Sequence, residues 1–261
     1  MERIEYMING SSYSLTADLH THTVFSHGTG TIEENVLAAR SKGIAKIGIT
    51  DHGPGHVGYG VRRWNFAKMR TEIERLSALY TDMEILFGVE ANIVNASGTL
   101  DIRPDEFAKF DYVIAGYHYG AIGGNPLANA IAATKNLAQN KSGVATKRQI
   151  RLNTRNIVKA LEKNDIKILT HPGDKAPVDL LEIAVVCAQT ETLVELNTNH
   201  MSMTAADVRT MALAPVKFII SSDAHSPGRV GDFVRAVNLA YDAGLDMSRI
   251  VNLKVTGPET G

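Results

Sequence analysis

Short apolar runs alternate with amphipathic stretches along most of this chain. Several runs, such as residues 46–50, are nearly continuous in β-branched and other apolar residues, which is typical of strands covered on both faces. Seven runs are predicted to be strands, over residues 14–22, 46–51, 85–92, 112–117, 166–170, 192–197 and 216–223. Because helical patterns separate most of them, we expect parallel βα units, and seven such units favour a barrel over an open sheet.

The helical patterns are predicted over residues 65–80, 153–163, 178–189, 204–213 and 231–243. A further helix should open at Thr31, because Thr31 and Glu34 have the three-residue offset of a capping box. The chain from Ile250 onward shows no clear pattern, so no element is predicted there.

One segment interrupts the alternation of strands and helices. About thirty residues lie between Tyr119 and Arg151, where a short loop is expected. Residues 129–139 within it have a helical pattern, and such insertions are typical of a lid or an oligomer contact, less often of surface decoration. The fold prediction is therefore an α/β, TIM-like (β/α)7 barrel. It forms a single domain over residues 1–261, with an insertion at about 120–150 after the fourth strand.

Composition narrows the class of protein without identifying it. The chain has 261 residues, 44% hydrophobic content and a formal net charge of −1, so it can bury a large core and has no overall basic balance for a nucleic-acid backbone. The single cysteine, Cys187, lies in an apolar run and is interpreted as a small buried hydrophobe. No apolar stretch approaches the ~20 residues of a membrane span, and no signal-peptide pattern opens the chain. A cytoplasmic enzyme is the expectation.

The candidate chemistry lies in the histidines, most of which fall at the ends of predicted strands. The residues at or just beyond strand ends are His20, His22, His52, Glu90, His118, His171, His200, Asp223 and His225. Because the carboxyl ends of parallel barrel strands lie on one face, these side chains should converge on one mouth. In His20/His22 and in Asp223/His225, the two-residue spacing turns both side chains to the same side of a strand. Imidazole and carboxylate together suit zinc, manganese or iron, so a metal site is predicted.

The number of candidate ligands indicates more than one ion. A catalytic zinc usually takes three protein ligands and keeps one position for water. Two or three ions that share a bridging carboxylate would use the whole set. Ions about 3.5–4 Å apart can clamp a phosphate and lower the pKa of a shared water, which points to hydrolysis of a phosphate ester.

Seven short motifs, taken in order, resemble one known family. They are DLHTH at 18–22, SHG at 26–28, ITDHG at 49–53, GVEAN at 88–92, AGYH at 115–118, THPG at 170–173 and SSDAH at 221–225. The chain resembles the PHP (polymerase and histidinol phosphatase) superfamily, and within it the stand-alone, YcdX-like phosphatase branch. The resemblance covers nearly the whole chain. The insertion after His118 departs from the family's compact pattern.

The resemblance implies a distorted barrel of seven βα units and a trinuclear metal site. By motif, the first ion would be held by His20, His22, Glu90 and Asp223. The second would be held by His27, His52 and His225. Glu90 would bridge to a third ion, which would also be held by His118 and His171. Three divalent ions are therefore expected, with zinc placed ahead of manganese or iron.

Loop residues at the metal face are candidates for other roles. The candidates for substrate binding are Arg62, Lys175, Asn197 and Arg229. The three cations could instead be ordinary solvated loop residues, and Asn197, at the end of the sixth predicted strand, could touch substrate or a metal-bound water. His56 and His200 could supply a general acid or could simply lie on the surface. Asp18 and Asp51 neighbour ligands in sequence and could either orient imidazoles or make structural hydrogen bonds.

The predicted function is hydrolysis of a small phosphomonoester by attack of a metal-bound hydroxide. Three alternatives are histidinol-phosphate phosphatase, a metal-dependent exonuclease or other nuclease, and a metal-binding structural domain without catalysis. The absence of a polymerase domain and of a strongly basic tract argues against the nuclease, and the complete ligand set argues against the structural domain. We expect a small phosphorylated substrate, no membrane partner and no nucleic acid, and we leave a homo-oligomer open.

Overall fold

The computed structural model describes residues 4–94, 97–121, 126–142 and 144–256; within 126–142 it describes the side chains of 131, 134–139, 141 and 142. The strands are β1 (Tyr6–Ile8), β2 (Ser11–Leu15), β3 (Ala17–Asp18), β4 (Lys46–Ile49), β5 (Glu84–Asn92), β6 (Tyr112–Gly116), β7 (Ile168–Leu169), β8 (Leu193–Asn197), β9 (Phe218–Ser221) and β10 (Leu253–Thr256). The α-helices are α1 (Ile32–Ser41), α2 (Asn65–Leu79), α3 (Pro126–Ser142), α4 (Lys147–Lys163), α5 (Leu180–Gln189), α6 (Ala205–Ala212) and α7 (Val234–Asp242). Short 3-10 helices span Pro104–Lys109, Pro227–Arg229 and Met247–Arg249.

Seven parallel strands form the barrel wall, in the chain order β3-β4-β5-β6-β7-β8-β9. The two edge strands meet just beyond their carboxyl ends, where Thr21 bridges Ala224 and the His22 N–H donates to the Ala224 carbonyl at 2.8 Å. Strands β3 and β7 contribute only two residues each, so the barrel is irregular. The predicted distorted (β/α)7 barrel is confirmed.

The first predicted strand was wrong in its extent. Residues 14 and 15 belong to β2, which pairs with β1 and β10 in a separate antiparallel sheet, and only Ala17 and Asp18 belong to the barrel. The chain changes sheets at Thr16, where the Thr16 N–H donates to the Asn252 carbonyl at 3.0 Å. Strand β10 was not predicted, because its four residues are mostly exposed and show no apolar pattern of their own. Pairing with β2, more than two hundred residues earlier in the chain, is what orders them.

The helices follow the predicted order with shifted ends. Thr31 caps α1 with the expected capping box, in which its side chain accepts from the Glu34 N–H and Glu34 reaches back. Helix α4 begins at Lys147, six residues before its predicted start, because the Thr146 side chain accepts from the Gln149 N–H and caps an earlier turn. The insertion contains α3, which includes the helix predicted at 129–139. On α5, Cys187 is fully buried as expected, and burial raises the pKa of its thiol to about 12.

Among the described residues, no helix combines the length and apolar character that crossing a bilayer requires.

The interior of the barrel is filled from one side by a tyrosine. Ile114, Ile168 and Ile219 form a small buried cluster, and Tyr112 packs against it. The Tyr112 hydroxyl donates to the Leu19 carbonyl at 2.8 Å, so its ring spans from β6 toward β3. A Cβ at Gly48 would lie 1.7 Å from that hydroxyl, and one at Gly88 would lie 2.8 Å from the Tyr112 Cζ. The absence of a side chain at Gly48 in β4 and at Gly88 in β5 therefore leaves the space that the Tyr112 ring occupies.

We predict that Gly48→Ala destabilises the protein by about 1–3 kcal/mol, because the added methyl group overlaps the Tyr112 hydroxyl and ring, which are packed against the buried isoleucine cluster. Chemical denaturation followed by circular dichroism measures the change. Gly228→Ala is the matched control, since a Cβ at Gly228 would have no heavy atom within 4 Å. Equal stability of the two variants would contradict this account of the barrel interior.

Candidate metal centre

The carboxyl ends of the barrel strands bring the nine predicted ligands to one mouth. His20 and His22 follow β3, His52 follows β4, Glu90 lies in β5, His118 follows β6, His171 follows β7, Asp223 and His225 follow β9, and His27 lies in the loop between β3 and α1. Seven of them, all except His20 and His22, line a cleft of about 290 Å³. His20 and His22 are fully buried beneath it. Positions spread over two hundred residues thus converge because parallel strands end on one face.

One group of ligand atoms surrounds a point between β3, β5 and β9. The Nε2 atoms of His20 and His22 are 3.1 Å apart, and they lie 3.5 and 3.1 Å from Asp223 Oδ1. They also lie 3.4 and 3.6 Å from the two oxygens of Glu90. A tetrahedral ion with bonds of about 2.0–2.1 Å holds its ligand atoms roughly 3.3–3.4 Å apart. The observed separations therefore fit a shared divalent ion.

A second group is formed almost entirely by imidazoles. The ligand atoms of His22, His27, His52 and His225 all lie within 4.8 Å of one another. The rings of His27 and His52 are stacked with centroids 4.8 Å apart, and the His225 ring lies 4.1 Å from His27. Imidazoles packed this closely can direct several ring nitrogens at one cation.

A third group is centred on the carboxylate of Glu90. Its Oε1 lies 3.2 Å from His118 Nε2 and 3.1 Å from His171 Nε2. Its Oε2 lies 2.8 Å from His52 Nδ1, yet neither atom is in a hydrogen bond. Glu90 is thus the residue common to the first and third groups, and its Oε1 lies within 3.4 Å of imidazole nitrogens from both.

The unsatisfied polar atoms at the mouth provide a test of whether a metal fits. The buried atoms His27 Nδ1, His52 Nδ1 and Glu90 Oε2 have no hydrogen-bond partner. Leaving one such atom unpaired in the interior costs about 1–3 kcal/mol, so three at one place call for an explanation. Coordination to divalent cations would satisfy atoms of this kind. The residues present therefore fit metal ions.

Burial and neighbouring charges shift the pKa values of the predicted ligands. Burial alone would raise the pKa of Glu90, but the charges of His118 and His20 hold it well below its usual range. Burial, aided by the charge of His52, holds the pKa of His22 well below its usual value. Burial likewise lowers the pKa of His118 to about 4. Ionised carboxylates and neutral imidazoles are the forms that coordinate metals.

Two of the predicted ligands have a backbone conformation that side chains disfavour. His171 has φ of 28° and Asp223 has φ of 49°, both in the left-handed region. Such residues cost on the order of 1–3 kcal/mol each and are found at functional sites. This strain turns each side chain from its strand end back toward the mouth.

Two residues of β8, Glu195 and Asn197, form hydrogen bonds with these strained ligands. Of the two, Glu195 was not among the residues predicted from the sequence. Glu195 Oε2 accepts the His171 N–H at 2.8 Å, and Glu195 Oε1 lies 2.6 Å from His20 Nδ1. Asn197, predicted to bind substrate, instead donates from Nδ2 to Asp223 at 3.1 Å and accepts two backbone N–H groups through Oδ1. Glu195 could have been found by alternation, because it lies two residues before Asn197 and shares its face of the strand.

Asp18 and Asp51 make structural hydrogen bonds. Asp18 accepts from Ser222 and from the Gly231 N–H, which ties β3 to the loop after β9. Asp51 accepts from the N–H and hydroxyl of Thr23 and from Ser26, and so fixes the loop that carries His27. Both carboxylates therefore position the loops rather than contact the imidazoles by hydrogen bonds.

Only one of the predicted substrate-binding cations reaches the cleft. Lys175 lines it and lies 3.4 Å from His200 Nδ1. Arg62 lines a neighbouring cavity with Pro54 and Asp101 instead. Arg229 forms an ion pair with Asp232 at 3.3 Å and lines a third cavity. The structure thus corrects the placement expected for Arg62 and Arg229.

His56 and His200 both line the cleft. His200 lies 3.6 Å from Asp223 and 3.5 Å from Asp174. His56 stacks on His52 with centroids 5.3 Å apart, and burial lowers the pKa of His56 to about 4. Both side chains are partly buried and line the cleft, so neither lies on the outer surface away from the predicted ligands.

Comparison with known proteins agrees with this geometry. A parallel α/β barrel whose mouth is lined by histidines and carboxylates defines a class of metal-binding barrel proteins. Residues 18–199 match the PHP domain family. The chain belongs to that family, which confirms the resemblance seen in its motifs.

Relatives of similar length bear related names. A protein of Thermoanaerobacter sp. (strain X514), named "Probable phosphatase", is 29% identical over 251 residues, covering 92% of this chain and 91% of the relative. A "Probable phosphatase" of Shewanella sediminis is 26% identical over 90% of this chain and 88% of the relative. Among solved structures, the histidinol phosphate phosphatase of Lactococcus lactis, complexed with zinc, L-histidinol and phosphate, has a TM-score of 0.56. It is 20% identical and covers 88% of this chain and 94% of the other. That likeness concerns the fold.

We predict that Glu195→Gln weakens metal binding about ten- to a hundredfold. Glutamate accepts from both His20 and His171, whereas glutamine has one oxygen and must turn its amide N–H toward one of these donors. Competition with a chelator, read by elemental analysis, measures the affinity. Glu182→Gln, at an exposed position of α5, is the control. If Glu195→Gln bound metal as tightly as the wild-type protein does, Glu195 would have no role in the metal centre.

Proposed function

We propose that this protein hydrolyses a small phosphomonoester at a centre of three divalent metal ions. The observation that carries the proposal is the position of Glu90. Its two buried carboxylate oxygens lie within 3.6 Å of five different imidazoles, contributed by His20, His22, His52, His118 and His171. One ion cannot use that many ligands together with Asp223, His27 and His225.

The enzyme class follows from family membership and from the relatives. The prediction of a metal-dependent phosphoesterase is confirmed at that level by the PHP domain match and by full-length relatives named phosphatases. The number of ions, their identity and the substrate are the parts that we propose. Zinc comes first because histidine predominates among the ligands, and manganese or iron would also be accepted by such a set.

The residues divide among the ions as the three groups of ligand atoms suggest. We assign the first ion to His20, His22, Glu90 and Asp223, the second to His27, His52 and His225, and the third to Glu90, His118 and His171. Bound there, divalent ions supply a nucleophile from water at neutral pH and neutralise charge on the phosphoryl group. Glu195 and Asn197 keep His20 and Asp223 in place, so the ligand set is formed before substrate arrives.

The protein's own contribution to substrate binding is small and localised. Among the described residues that line the cleft, Lys175 is the only one with a permanent positive charge. Its ammonium group lies 6.0 Å from the centre of the Tyr119 ring, at the side of the cleft next to the insertion. A volume of about 290 Å³ suits a small phosphorylated metabolite.

One feature of α4 favours the nuclease alternative. Arg148, Arg151 and Arg155 lie three and four residues apart on α4, so they share one exposed face of the helix. They make no ion pair with any residue that the structure describes. A basic face of this kind can contact a polyanion, although it lies on a helix rather than in the cleft.

We predict that the purified protein binds three divalent ions per chain and that their removal abolishes hydrolysis of p-nitrophenyl phosphate. Adding back zinc, manganese or iron should restore it. Glu90→Gln should lower the bound metal and reduce turnover by at least a hundredfold, because the bridging charge is lost. Elemental analysis and a colorimetric assay give the two readouts.

The outcomes of that experiment separate the alternatives. Full activity in the metal-free protein or in Glu90→Gln would exclude the proposed centre. Degradation of single-stranded DNA at rates comparable to p-nitrophenyl phosphate would favour the nuclease. Histidinol phosphate belongs in the same panel of substrates, and a marked preference for it would identify the histidinol-phosphate phosphatase.

We predict that Lys175→Ala raises KM for a small phosphomonoester about tenfold, because a charge-assisted hydrogen bond to the phosphate is worth about 1.5–3 kcal/mol. Steady-state kinetics on the metal-loaded protein measure the effect. Lys167→Ala is the matched control, since Lys167 is exposed just before β7, at the opposite end of the barrel. An unchanged KM in Lys175→Ala would show that Lys175 does not bind the phosphate.

A further inference from the structure

His56 lies at the wall of the cleft without belonging to any of the three groups of ligand atoms. Its backbone is held from two sides. The His56 N–H donates to the Gly53 carbonyl at 3.3 Å, and the His56 carbonyl accepts the Gly60 N–H at 2.9 Å. His56 also bridges Ala121, the last described residue before α3, in an antiparallel pairing. The loop that carries it is therefore fixed to the start of the insertion.

The His56 ring borders two of the predicted ligands. It is stacked on His52, with centroids 5.3 Å apart and planes 20° apart, and lies 6.2 Å from the His118 ring. On its own loop it stacks with Tyr59 at 4.8 Å. These contacts place the ring beside His52 and His118, which we assign to the second and third ions.

One hydrogen bond determines which nitrogen of His56 carries the proton. The Tyr59 N–H donates to His56 Nδ1 at 3.2 Å, so Nδ1 is the acceptor and the neutral ring carries its proton on Nε2. No described residue accepts a hydrogen bond from that Nε2–H. His56 thus presents a neutral donor at the wall of the cleft, in addition to the cationic donor Lys175.

Gly120 explains why the ring can occupy this position. A Cβ at residue 120 would lie 2.7 Å from His56 Cε1 and 2.8 Å from His56 Nε2. Real Cβ atoms do not approach other atoms so closely, so any side chain at 120 would displace the ring. Displacement of the ring would alter its stacking on His52, whose ring centroid lies 5.3 Å away.

We propose that His56 donates its Nε2–H to an oxygen of the substrate's phosphate group. Glycine at position 120 leaves room for the His56 ring in the position from which it donates. The proposal rests on the proposed function, since it assigns a phosphate to the cleft. A fixed neutral donor aimed at a phosphoryl oxygen stabilises charge that accumulates there in the transition state. It also adds no ligand to the ions.

The first test compares variants of the metal-loaded protein. His56→Ala should lower kcat/KM for p-nitrophenyl phosphate about ten- to a hundredfold, the value of one hydrogen bond to a charged group. His56→Gln, which can place an amide N–H near the same point, should recover part of the loss. Bound metal, measured by elemental analysis, should stay at the wild-type level in both. Gly58→Ala, in the same loop with no heavy atom near its Cβ, is the matched control.

The second test couples the two residues. Gly120→Ala should reproduce most of the effect of His56→Ala, and the double variant should be no worse than His56→Ala alone, because both changes remove one interaction. Wild-type kcat/KM in His56→Ala would overturn the proposal. Additive losses in the double variant would overturn the role of Gly120, and loss of metal in His56→Ala would make His56 a part of the metal centre instead.

Binding of inorganic phosphate to the metal-loaded protein, followed by calorimetry, keeps this proposal separate from the enzyme assignment. If the wild-type protein binds phosphate but hydrolyses no phosphomonoester, the proposed function fails while the role of His56 is still tested. In that case His56→Ala should weaken phosphate binding about tenfold or more. Equal phosphate affinity in wild type and His56→Ala would overturn the proposal independently of catalysis.

Discussion

The buried carboxylate of Glu90 is the constraint on which the mouth of this barrel depends. An ionised carboxylate removed from water costs several kcal/mol unless opposite charge or hydrogen bonds replace its hydration. Glu90 is 1% exposed, and its oxygens face five imidazoles with no backbone donor among its contacts. The histidines alone cannot all be charged, because burial and mutual repulsion lower the pKa of several of them. Divalent cations resolve this conflict, and they tie the stability of the mouth to metal binding.

The remainder of the barrel is arranged to keep that carboxylate and its neighbours in position. The strained residues His171 and Asp223 are turned inward, and β8 supports both of them through Glu195 and Asn197. On the interior side, Tyr112 fills the space that Gly48 leaves open in β4, so the strands that carry His52 and Glu90 are packed from below. Strain near the ligands is thus offset by hydrogen bonds and packing that make no contact with substrate.

The cleft above the centre combines residues of the family's motifs with features of this chain's loops. Glu90 and predicted histidine ligands line it, and so do His56, Lys175 and Tyr119. His56 is joined to the first residues of the insertion by backbone pairing, so a change in the insertion would be felt at the wall of the cleft.

The sequence by itself determined the order of the strands, the residues that gather at the mouth and the family. Strand ends in a parallel barrel share one face, so a histidine at such an end can be assigned to that face from its position in the chain. Tertiary structure decided what depends on distant contacts. The split of residues 14–22 between two sheets and the existence of β10 follow from pairing across the whole chain. The role of Glu195 depends on two partners, His171 and His20, which are 24 and 175 residues away in the chain and approach each other only in the folded barrel. The directions of Arg62 and Arg229 were likewise decided by loop conformation, since loop position fixes the end of the barrel but not where a flexible side chain points.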